Sequence, residues 1–67
     1  MKDWEKVFES LDLSTATMVM GILIENGVPA KTLDKKDSAF VFLGKVEVLV
    51  PSEFVSTAQA LIADIQL

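Results

Sequence analysis

No cysteine occurs in this chain of 67 residues, so whatever it folds into is held by an apolar core near the lower size limit for autonomous folding. No histidine occurs either, which removes the other common staple of small domains, a zinc site of Cys and His. The length has room for one domain, residues 1–67, and for no second. A monomer of this size is marginal, and a partner that hides more apolar surface adds a large fraction of its stability.

Hydropathy patterning supplies the elements. Trp4 to Glu9 reads as a first strand, with Trp4, Lys6 and Phe8 on one face and Glu5, Val7 and Glu9 on the other. A sheet covered on one side only would then leave Trp4 and Phe8, or else Val7, facing outward. Asp12 reads as a helix N-cap followed by Ser14 and Thr15, because its carboxylate can accept from the free amides of the first turn. The helix runs to about Asn26, and Gly27 stands where a left-handed C′ residue is wanted. Ala16, Val19, Leu23 and Asn26 form its core stripe with Met20 beside it. Ile22 on one flank and Leu13 and Ile24 on the other widen the stripe beyond what a one-sided helix requires.

Val28 to Leu33 reads as a second strand, at the sheet edge because Pro29 lacks an amide to donate. Asp34-Lys35-Lys36-Asp37-Ser38 is the turn that follows. Phe40, Phe42, Val46, Val48 and Val50 share parity, so Ala39 to Val50 is one long strand or two short ones broken at Gly44. Pro51 stops the ladder, and Ser52 is the expected N-cap of a last helix with Phe54, Ala58, Leu61 and Ile65 as its stripe.

The order β-α-β-β-α, with a right-handed crossover that leaves room for the third strand between the first two, predicts strand order 1-3-2. The expected fold class is α+β. It is a ferredoxin-like sandwich lacking its final strand, with an antiparallel or mixed sheet of three to four strands and two helices on one face. Its first strand is then an open edge, which proteins usually cover, often with a second chain.

Chemistry is scarce. Without His or Cys, a zinc centre, a catalytic triad and a thiol nucleophile are excluded as usually built. Glu5, Glu9 and Glu47 could line one sheet face, where they read as solvated strand charges that protect an edge. Gly21, Gly27 and Gly44 are too scattered to cradle a phosphate. The expectation is a protein that is not an enzyme and carries no cofactor and no metal. Six lysines stand against ten carboxylates for a net charge of −4, which disfavours nucleic acid as a partner. The N-terminal residues alternate charge where a signal peptide needs an apolar run. The longest uncharged stretch, Leu13 to Ile24, is too short to span a bilayer, so the expected location is cytoplasmic, off the membrane.

Two surfaces remain as candidates. Lys31, Lys35 and Lys36, with Asp37, Ser38 and Lys45, form the one local positive cluster and would suit a small anion or metabolite. Trp4, Phe8, Met18, Met20 and Ile24 exceed what a one-sided core requires and would suit a protein partner or a second copy, a homodimer.

The residues also resemble a known family. Trp4, Val7 and Phe8, then Asp12 and Ala16 opening a helix that closes Leu23-Ile24-Glu25-Asn26-Gly27-Val28-Pro29-Ala30, are similar to a small bacterial family labelled putative prokaryotic signal-transducing protein. So are Lys35-Lys36-Asp37-Ser38 and Leu43-Gly44-Lys45-Val46-Glu47-Val48 with Val50-Pro51. The resemblance implies a fold like the nitrogen-regulatory PII (GlnB-like) class within the ferredoxin-like group. Asp34, Ala39 and Phe40 stand where the family pattern has Asn, Ser and Tyr. The resemblance implies little for function; the marginal monomer, the open edge and the surplus apolar surface point to a small regulatory or interaction domain, self-associating, with a metabolite or anion sensor at the lysines as the alternative. The label rests on fold-level similarity.

Overall fold

A computed structural model describes residues 3–34 and 45–65. The elements are β1 (Trp4–Ser10), α1 (Leu13–Glu25), β2 (Lys31–Asp34), β3 (Val46–Pro51), a short 3-10 turn (Ser52–Phe54) and α2 (Val55–Ala63). β3 lies in the middle of an antiparallel three-stranded sheet of order β1-β3-β2. This is the predicted 1-3-2 order. β1 and β2 run parallel to each other on either side of β3, joined by the α1 crossover.

The core forms on one face of that sheet. Val46, Val48 and Val50 alternate along β3 and are fully buried, as period-2 strand geometry requires of one face. Ala16, Val19 and Leu23 of α1 and Ala58 of α2 meet them there, so both helices cover the same side. The Cα envelope is 15 Å along its short axis, the depth of two layers.

Both ends of α1 are closed as the sequence predicts. Asp12 accepts from the Ser14 amide at 3.1 Å and from the Thr15 hydroxyl at 3.0 Å. Gly27 has φ +84°; its amide donates to the Ile24 carbonyl, while the Val28 amide donates to the Leu23 carbonyl at 2.9 Å. That pair of bonds is a Schellman motif, and its usual apolar contact is present in Leu23 and Val28, both buried in the core. Asn26 is not in the core stripe. It is exposed and its side-chain amide donates to the Ile22 carbonyl at 2.8 Å, capping the helix.

The second strand therefore starts later than predicted. Val28 is still engaged in closing α1, Pro29 has no amide, and strand pairing begins only at Lys31, opposite Leu49. Ser52 does not cap α2 either. Its amide and hydroxyl donate to the Asp3 carbonyl at 2.8 and 3.1 Å, and α2 opens from the 3-10 turn with no side-chain cap. The segment 35–44, with the turn residues Lys35, Lys36, Asp37 and Ser38 and the possible break at Gly44, lies outside the described residues.

The largest correction concerns β1. Lys6 pairs with Leu49 but Phe8 pairs with Val48, so the register shifts and Val7 is the extra residue of a β-bulge. Val7 and Phe8 are both half-buried against the core. Trp4, Lys6 and Phe8 therefore do not share a face: Phe8 lies opposite buried Val48, and Glu9 moves to the face that carries Lys6.

Candidate interaction surface

The register defines what stands on the face that the helices leave uncovered. Across the strands, Lys6, Leu49 and Lys31 form one row, and Glu9, Glu47 and Leu33 form the next. Trp4 lies beyond the first row, opposite Pro51. Trp4 and Leu33 are 39% and 43% exposed, values that put two large apolar side chains in solvent on one side of a small sheet.

The aromatic end of this face is organised by one cation. The Lys31 ammonium lies 4.3 Å from the Trp4 ring centroid, well within cation–π range. These residues belong to the two outer strands, so the contact spans β3. Beneath it Pro51 is buried and Leu49 half-buried, although no helix of the described residues covers this side.

The charged end is a compact network. Glu9 and Glu47 are direct cross-strand neighbours, an arrangement that repels unless cations intervene. Lys6 supplies one, 2.5 Å from Glu9 and 3.9 Å from Glu47, and Lys45 supplies another, 3.0 Å from Glu9. Hydrogen bonds from Lys6 and Lys45 hold the Glu9 carboxyl down at about 2, below its ordinary 4.5, and the Lys6 ammonium is raised by its bond to Glu9. The bulge makes this possible: in a regular strand Lys6 and Glu9 would point to opposite faces.

The structure brings together only some of the residues expected to act together. Lys31 and Lys45 are not neighbours. Lys31 pairs with Leu49, four residues along β3 from Lys45, a separation of roughly 13 Å. Of the apolar set, Trp4 is on the open sheet face, whereas Met18 and Ile24 are exposed on α1 in the other layer. Phe8 and Met20 pack against the core. Glu9 and Glu47 share the open face, but Glu5 pairs with Val50 on the opposite one.

Leu33 and Leu49 were not singled out from sequence. They acquire significance only through register, since each is an unremarkable strand leucine until Glu47 and Lys31 are placed beside it. Among the described residues, no group of acidic side chains is arranged to hold a metal ion, and no helix is long and apolar enough to cross a membrane.

The class is thus an α+β domain of ferredoxin-like β-α-β-β-α arrangement, with helices on one side of the sheet and a mixed aromatic and charged surface on the other. The profile of the family described as putative prokaryotic signal transducing protein matches residues 4–66, and the chain belongs to that family. No curated protein and no solved structure matches it.

Proposed function

We propose that this chain is a non-catalytic regulatory module of the prokaryotic cytoplasm that works by binding protein, in the first place a second copy of itself. The observation that carries this reading is the uncovered sheet face, where Trp4 and Leu33 stand exposed beside half-buried Leu49. Apolar side chains grouped on one face and rimmed by charge are characteristic of surfaces that associate. The chemistry of the charged end supports a non-catalytic role, because a general acid needs a raised carboxyl pKa and that of Glu9 is lowered.

A metabolite sensor at the lysines has less support. The Lys31 ammonium is occupied by Trp4 and that of Lys45 by Glu9, and because β2 and β3 are antiparallel, Lys31 at the start of β2 and Lys45 just ahead of β3 stand at opposite ends of the sheet. The test is the solution mass by light scattering over a dilution series. A mass that rises from monomer toward dimer with concentration is the expected result; a monomer at every concentration overturns the reading.

A further inference from the structure

We propose that the second copy docks face to face on the open sheet, about a twofold axis running across the strands between the Lys6 row and the Glu9 row. This rests on the self-association reading above and adds the surface, the symmetry and the contacts that specify it.

Three surfaces compete for the role. The β1 edge is interrupted by the bulge at Val7, and the β2 edge offers only four residues; bulges and short strands are the usual means of preventing edge pairing. The exposed apolar residues of α1 do not make one patch. At about 100° per residue, Leu13 and Ile24 fall together and Met18 well over 100° away.

Charge favours the sheet face. Its strand residues Lys6, Lys31, Glu9 and Glu47, with Lys45 just ahead of β3 and paired to Glu9, set three cations against two carboxylates. Rows of opposite sign stand side by side on this face, so a second copy of the same face can meet it with complementary charge, which the uncharged stretch Leu13 to Ile24 of α1 does not offer.

The row order is self-complementary about the proposed axis. Each Lys6 row lies over the Glu9 row of the partner, so Lys6 meets Glu9 of the other copy twice, and the Lys31 stem lies over Leu33. The Lys6–Glu9 pair already exists within each chain, so docking exchanges that ion pair for the same pair between chains. A three-stranded face about 20 Å long and about 14 Å wide is smaller than the ~800 Å² per partner of a standard stable interface. The dimer is accordingly weak and reversible.

Two substitutions on separate chains test this. Lys6→Glu places two carboxylates at each crossed contact and Glu9→Lys two ammoniums, so each variant alone associates at least about tenfold more weakly than the parent. Mixed together, the two variants restore both contacts, and the heterodimer forms with an affinity within about threefold of the parent dimer. A parent chain that dimerises while the mixture shows no rescue overturns this face and leaves self-association standing. A parent chain that is monomeric throughout overturns both. Should either variant fail to fold by circular dichroism, zero-length carbodiimide crosslinking of a mixture of ¹⁴N- and ¹⁵N-labelled parent chains replaces it. Lys6–Glu9 crosslinks joining the two isotopes are expected, and crosslinks confined to one isotope overturn the proposal.

Discussion

Lys31 and Trp4 stand on the two outer strands of the sheet, which never pair with each other, yet the ammonium of one lies 4.3 Å from the ring centroid of the other. The contact ties β2 to β1 over the top of β3. Trp4 is the only tryptophan in the chain, so the emission comes from this ring and responds to its immediate surroundings, the Lys31 ammonium among them. Lys31→Met removes the cation and keeps most of the stem. The expected loss is about 0.5–1 kcal/mol in urea unfolding, with a shifted emission spectrum. Unchanged emission and an unchanged midpoint would show that ring and ammonium do not meet in solution.

Two glycines are expected to respond with opposite sign to the same substitution. Gly27 has φ +84°, while Gly21 lies inside α1, and an added Cβ meets nothing within 4 Å at either position. Sterics are thus equal and backbone conformation decides. Gly27→Ala is expected to cost about 1–2 kcal/mol for the left-handed conformation, and Gly21→Ala to gain about 0.5–1 kcal/mol in helix propensity. Denaturant melts of both variants provide the check, and two shifts of the same sign would contradict the assignment.

Glu9 sets an acid dependence. Its folded carboxyl titrates at about 2 against an ordinary 4.5, so the unfolded chain binds the proton more readily. The contribution to stability is complete above about pH 4.5 and is lost as pH falls toward about 2. In Glu9→Gln this component is absent, and the decline in stability over that window becomes shallower than in the parent. Thermal melts at several pH values would reveal parallel curves if the network did not form.

The bulge at Val7 separates two aromatic residues that a regular strand would keep together. Phe8 packs on the core while Trp4 stands on the open face. Phe8→Glu is expected to cost about 3 kcal/mol or more by placing a charge against the valines, enough to unfold a domain of this size. Trp4→Glu should remain folded, at a cost of no more than about 2 kcal/mol. Equal effects on the two melts would restore the regular strand.

Much of the architecture can be read directly from the residues. The caps of α1 at Asp12 and Gly27 are local chemistry, and the 1-3-2 strand order follows from the handedness of the crossover. The family is visible in Trp4, Asp12 and the Leu23–Ala30 segment. What escapes a strict alternation of faces is the bulge, because its register shift depends on β3, distant in sequence. One local sign was available: Val7 and Phe8 are adjacent apolar residues between Lys6 and Glu9, a pattern that suits two side chains entering the core side by side. Ser52 departs from the expected cap because its acceptor, the Asp3 carbonyl, lies at the other end of the chain. The open face could not be read for the same reason, since its rows combine residues from three separate strands.

The middle strand of the sheet is also its last in the chain. Ser10 and Val46, the closest pair in sequence across the β1 ladder, are 36 positions apart. Until Val46 to Pro51 arrive, β1 and β2 lack the strand that bridges them, and α1 is the first described element that local bonds alone can form. The β2–β3 ladder closes over 12 positions at its nearest pair, Asp34 and Val46, so the long closure is that of β1 onto β3, and it weighs most on the folding rate. A nascent chain that ends before Val46 has α1 but not the middle strand of the described sheet, and Val46, Val48 and Val50 are not yet present to hold Val19 and Leu23.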